Sequence, residues 1–299
     1  MSSPAPTDAP PAPVASADDP PPQDGWPGRL DALRAELDRI DNELHSLLLR
    51  RAAVVEQVAK SGKRSAYRPG REASILRRLL GQHSGALPPQ TLVRIWREML
   101  AGTTAMQAPF IIAVSEPEGS GMAEVAREHF GVLTPLRAFR RPAQALDEVR
   151  RGNASVAVLP MPSATETWWT ALLRIEAPRL HIVGRLPFWA PRPEGAPSAP
   201  ALVVAGSEPD ASERDRSFIG LELGAGLGRG ALTEALDAAG LTREATILLR
   251  ENDSTTAQAL VEVDGFVAAD DPRLERLATK LARTMALGAY AVPEDGVAA

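Results

Sequence analysis

A long apolar stripe dominates the first third of the chain. Leu30, Leu33, Leu37, Ile40, Leu44, Leu47 and Leu48 recur at helical spacing, and Val54, Val55 and Val58 carry the pattern on until Gly62. Spacings of three and four belong to one face of an α-helix. A helix of roughly 30 residues is longer than a globular domain usually needs. Such a stripe needs a partner along its whole length, so the pattern predicts a helical oligomer. Pro69 suits the first turn of a second helix, which continues through Ile75, Leu76, Leu79 and Leu80 to about His83. Pro88 and Pro89 open a third, through Leu92, Ile95, Trp96, Met99 and Leu100 to near Gln107.

From Phe110 the pattern changes. FIIAVSE, LTPLRAF and ASVAVLPMP read as strands, with MAEVAREHF and PAQALDEVRRG as helices between them. That βαβαβ order predicts a parallel α/β layer. LHIVGRLPFW and PALVVAG add strands on either side of a Pro-rich stretch. The last unit, about 215–294, reads strand, Gly-rich turn, helix, strand, strand, helix, strand, a ferredoxin-like βαββαβ order.

Charge is distributed unevenly. Residues 1–27 hold nine prolines, four acids and no base, which predicts a disordered tail. Residues 29–107 carry fourteen Lys/Arg against eight Asp/Glu, a net +6 inside a chain of net −5. A basic segment in an acidic protein asks for an anionic partner. Nucleic acid is a poor candidate, because the pI is about 5.6 and the basic stretch has few aromatics for base stacking. With no cysteine and four scattered histidines, thiolate chemistry, disulfides and Cys- or His-rich metal sites are not expected, and neither is a cofactor. The absence of both a long apolar run and a secretory pattern points to a cytoplasmic protein away from membranes.

The polar residues of the basic segment suggest one anion site. Arg34 and Arg51 lie 17 residues apart, about 25 Å along a helix and not on one face. They can serve a single site only if another chain supplies one of them. Lys60 and Lys63 close the first helix, Arg68, Arg71 and Glu72 open the second, and Thr103 and Gln107 share a face of the third. On residue types alone, a solvated helical hairpin laced with salt bridges accounts for the same pattern.

Three stretches in combination, LDALRAELDRIDNELHSLLLRRAAVVEQVAK, YRPGREASILRRL and IWREMLAGTTAMQ, resemble the all-helical chorismate mutases over residues 29–107. The resemblance implies an intertwined homodimer of three-helix chains that converts chorismate to prephenate. It implies that Arg34 binds a substrate carboxylate in the partner's site and Arg51 one in its own. Arg71 and Glu72 match an Arg-Glu pair in which the acid accepts from the substrate hydroxyl. Thr103 stands where the family usually has Ser, and Gln107 matches the glutamine that donates to the ether oxygen. The family's ether-binding lysine aligns near Gly62, between Lys60 and Lys63, with helix phase favouring Lys63. Arg68 replaces a common Asp.

Residues 110–205 resemble prephenate dehydratase, and the last unit resembles an ACT regulatory domain. The dehydratase likeness is damaged. Its Pro-Ile-Glu-Asn-Ser/Thr landmark reads Pro160-Met161-Pro162-Ser163-Ala164, and its Thr-Arg-Phe motif is missing. The C-terminal unit is either an amino-acid sensor or a dimerisation module without ligand, the second being favoured. The expected organisation is therefore a tail (1–28), a mutase domain (29–107), a truncated, inactive dehydratase-like α/β region with a parallel sheet (108–210) and an ACT-like domain (211–299). The alternatives are a bifunctional mutase/dehydratase and a non-catalytic dimer that senses an aromatic metabolite.

Overall fold

The computed structural model describes residues 26–60, 67–224, 228–250, 256–279 and 281–295. Two compact units divide the chain at Val54/Val55. The described part of the first is helical: α1 (Trp26–Lys60) begins there and continues into the second unit. Its first three residues fall inside the expected tail (1–28), whose residues 1–25 lie outside the described ones. The apolar stripe of α1 is exposed from Leu30 to Leu49.

The second unit opens with two helices, α2 (Pro69–Gln82) and α3 (Pro89–Gln107). Each has a proline in its first turn, as the sequence predicts. The start of α2 has no side-chain cap of its own. Asp210, far along the chain, accepts instead from the Gly70 and Arg71 amides, both at 3.1 Å. A carboxylate there satisfies two orphan donors and complements the helix dipole. Gly70 is required by closeness: a Cβ would lie 2.3 Å from the Asp210 carbonyl oxygen.

Next come β1 (Ile112–Ser115), α4 (Met122–Phe130), β2 (Leu136–Phe139), α5 (Pro142–Arg150) and β3 (Val156–Pro160). A 3₁₀ turn (Trp168–Leu173), β4 (His181–Leu186) and β5 (Ala201–Ala205) follow. The chain then forms β6 (Asp215–Leu223), α6 (Arg229–Ala239), β7 (Arg243–Arg250), β8 (Ala257–Asp264), α7 (Pro272–Ala278) and β9 (Arg283–Ala291). Among the described residues, the nine strands join one sheet in the order β2-β1-β3-β5-β4-β9-β6-β8-β7.

β1 pairs in parallel with both β2 and β3, as the βαβαβ pattern predicts. The expected all-parallel sheet is corrected at β5, which is antiparallel to both β3 and β4. No helix separates β4 from β5, so the chain reverses rather than crossing over. The last four strands keep the βαββαβ order, with β6 between β8 and β9 and β7 at the edge. The two halves meet where Ile182 of β4 bridges Gly288 of β9 in parallel. Gly288 has φ +136°, and a Cβ there would stand 2.0 Å from the Ile182 carbonyl oxygen. Only glycine lets the two strands approach this closely.

One apolar cluster includes Trp169, Ile182, Leu202, Phe218 and Leu287, and so spans both halves of the sheet. Another packs α6 and α7 on β6 and β8. A smaller cluster holds Ala73 and Leu76 of α2 and Val93 of α3 against Phe188, Trp189 and Ala291. Arg77 of α2 reinforces that contact, donating to Glu294 and to the carbonyls of Ser212 (2.7 Å) and Val292 (2.7 Å).

Candidate active site

The candidate residues lie on α1, α2 and α3. On α1, Arg34 is exposed and paired at 3.2 Å with Asp31, one turn earlier. Arg51 is half-buried. At the end of α1, Lys60 pairs with Glu56 at 2.7 Å. Lys63 lies outside the described residues.

Around the start of α2, Asp210 gathers two candidates. Its carboxylate pairs with the Arg68 guanidinium at 3.2 Å and takes the Arg71 amide. Thus Arg68, which replaces an Asp common in the family the segment resembles, is matched by an acid from a distant loop. Sequence reasoning missed Asp210 because nothing local marks it as a cap.

Glu72 points the other way, into the contact of α2 with α3 and α4. Its carboxylate accepts from Arg97 Nη1 at 3.0 Å, with side-chain exposures of 12% and 6%. The Arg97 guanidinium also lies 4.8 Å from the centre of the Phe188 ring and donates towards His129 Nε2 at 3.4 Å. Arginine has no acceptor, so this ring nitrogen accepts and His129 is neutral. Burial and the adjacent Arg97 charge hold its pKa well below the usual 6.5. Burial, and then the Glu72 charge, push the Tyr67 phenol well up, so it keeps its proton. Tyr67, Glu72 and His129, with Thr104, Phe130 and Thr134, line a cavity of about 10 Å³, room for a water and not for a metabolite.

Arg97 was also missed. Its signal was a charge at a buried phase of α3, where Val93, Arg97, Leu100 and Thr104 face inward. The more apolar set containing Leu92 and Ile95 drew the sequence reading to a neighbouring face, and Ile95 is 50% exposed. Thr103 and Gln107 are half-buried on one face, as their spacing predicts, and Gln107 Nε2 donates to the Thr103 carbonyl at 3.1 Å.

Residues 33–108 match the family model for chorismate mutase type II. Among curated proteins, the chain is similar to the bifunctional chorismate mutase/prephenate dehydratase of Stutzerimonas stutzeri, with 30% identity over 150 residues. That match covers 46% of this chain and 40% of the relative, so the chain spans well under half the length of that curated protein. Among solved structures, a quorum quenching acylase, GqqA, aligns at TM-score 0.47 and 18% identity, over 61% of this chain and 95% of its own. Prephenate dehydratase from Streptococcus mutans aligns at TM-score 0.46 and 16% identity, over 62% of this chain and 100% of its own.

Proposed function

We propose that the chain is a chorismate mutase acting as a homodimer. The observation that carries this reading is the match of residues 33–108 to the type II mutase family; the roles of Arg34, Arg51, Arg71, Glu72, Thr103 and Gln107 are those the family resemblance implies. The reaction is an intramolecular Claisen rearrangement: the ether C–O bond breaks as a C–C bond forms, and no proton or electron is exchanged. Catalysis then consists of holding the dianion in its compact conformer and stabilising charge on the ether oxygen.

Each residue type suits its part. Arg34 from one chain and Arg51 from the other bind the two substrate carboxylates, where planar guanidinium forks give orientation as well as charge. Lys63, or Lys60, and the neutral Gln107 donate to the ether oxygen. Glu72 accepts from the substrate hydroxyl, with its carboxylate held by Arg97 Nη1 at 3.0 Å. Arg71 and Thr103 complete the polar lining. Arg68 stands at its mouth, tied to Asp210.

The division into a tail (1–28), a mutase domain (29–107), a dehydratase-like region (108–210) and an ACT-like unit (211–299) is part of the same proposal, as is a cytoplasmic setting. The dehydratase-like region is inactive, because Pro162 and Ser163 supply neither the carboxylate nor the amide of the landmark. The ACT-like unit serves as a dimerisation module, with an amino-acid effector as its other use. No described helix is long and apolar enough to cross a membrane.

The test is to incubate the purified chain with chorismate, follow its loss, and identify the product before and after acid. Prephenate, with phenylpyruvate appearing only after acid, is the expected outcome. Phenylpyruvate without acid makes the chain a bifunctional enzyme. No loss of chorismate makes it a sensor. Arg51→Ala and Gln107→Ala should each slow turnover by at least about a hundredfold, with the melting curve unchanged.

A further inference from the structure

We propose that the groove between α3, α4 and the loop joining β4 to β5 binds a small organic monocarboxylate. The groove encloses about 580 Å³, within the range of small-molecule sites. It lies apart from the candidate mutase residues and does not depend on their assignment. Three arginines on three separate elements line it: Arg94 from α3, Arg127 from α4 and Arg192 from the loop.

Arg192 sets the chemistry. Its Nε and Nη2 donate to the Pro197 carbonyl at 3.0 and 2.7 Å, and Nη2 also meets Glu128. Its plane lies 4.1 Å from the centre of the Trp189 ring. The third nitrogen, Nη1, is buried and has no acceptor among the described residues. Buried guanidinium donors in folded proteins find acceptors. Arg192 thus forms a fixed, charged wall of the groove, and a carboxylate there meets the guanidinium donors of Arg94 and Arg127 beside it.

The surroundings favour that ligand over other anions. Arg94 and Arg127 have no ion pair among the described residues, and Arg127 donates only to the Val132 carbonyl (3.0 Å). Glu128 is engaged by Arg192 and by the Trp189 indole at 3.1 Å. Glu98 takes the Val132 amide at 3.2 Å, and Glu194 stands on the exposed turn. Three acids beside three arginines give no net positive charge, so the groove offers a phosphate or a dianion no Coulombic advantage over one carboxylate. Val132, Trp189 and Pro197 supply apolar surface for the ligand's body. The loop is fixed in advance, since Ala190 N donates to Glu294 O and Glu294 N to Phe188 O, both at 2.8 Å.

The probes are benzoate, its neutral counterpart benzamide, and inorganic phosphate, titrated calorimetrically into the full chain. Benzoate should bind one per chain, and neither benzamide nor phosphate should. Arg94→Met should weaken benzoate at least about tenfold, and Arg192→Met should abolish binding. Arg94 is exposed, so its variant tests the site even if Arg192→Met loosens the loop. Several outcomes would overturn the site: no benzoate binding, equal binding of benzamide, or preference for phosphate. Binding that survives both arginine variants but is lost in Arg51→Ala would also overturn it, by placing benzoate at the mutase residues.

Discussion

Arg97 is the most consequential single residue outside the expected set. A guanidinium buried in the helical contact needs an anion, and Glu72 supplies it at 3.0 Å. Removing one member of such a pair strands the other charge. Arg97→Met should therefore cost about 3–5 kcal/mol in urea unfolding. Adding Glu72→Leu to it should restore most of that loss, because no buried charge then remains, although the double variant loses the proposed catalytic acid. A double-variant loss equal to the sum of the two single losses would mean that the pair is not coupled.

His129 gives a pH signature of known sign. Its folded pKa is well below 6.5, so as pH falls through 6.5 the unfolded chain takes up a proton that the folded chain refuses. Stability is then full above that value and lost below it. Between about pH 7.5 and 5.5 the melting temperature should fall, and His129→Phe should flatten the slope. His181, also lowered by burial, contributes with the same sign, so the variant removes only the His129 share. An unchanged slope would refute the assignment. At this scale the sequence showed which residue types were present and, through the family resemblance, what they suit. It did not show that Glu72 faces Arg97, because that contact is made by two helices docking on a third.

Elements were the most legible level, since periodicity and proline placement are local. The starts of α2 and α3 follow from Pro69 and Pro89, and α4 and α5 from their apolar spacing. Strand direction was not legible at β5. Its ALVVA run is buried on both faces, and such a run reads the same in parallel and antiparallel pairing. Nor was the joining of two expected sheets into one, whose closest approach requires Gly288. Gly288→Ala forces a side chain against the Ile182 backbone at a φ that L residues rarely adopt. The cost should exceed about 3 kcal/mol, by overpacking and strain together. The contact joins β4 to β9, so the variant should open amide exchange in both strands while α6 and β8 stay protected. Loss confined to a terminus would show that the bridge does not unite the sheet.

At the scale of the molecule, the open question for α1 is what covers it. Leu30, Leu33, Leu37, Ile40, Leu44 and Leu47 are 39–60% exposed along one helix. Thirty-five residues make a helix about 52 Å long, and a stripe of that length is not left to water in a stable protein. A second copy fits the requirement: it presents the same stripe and would bring Arg34 to the site proposed for its partner. Each leucine buried in such a contact contributes about 1.5–3 kcal/mol. The chain should therefore sediment as a dimer at micromolar concentration. A Leu37→Glu, Leu44→Glu variant should sediment as a monomer and lose mutase activity, because each site would lack the partner's arginine. The sheet of residues 112–291 has its own apolar cores, so its near-ultraviolet circular dichroism, given by Trp169 and its neighbours, should persist. A monomeric variant that kept full activity would place Arg34 and Arg51 in one chain's site, and the 17-residue phase difference on α1 rules against that. Activity and dimerisation must then be lost together, and an active monomer would refute both the partner's role and the assignment of Arg34.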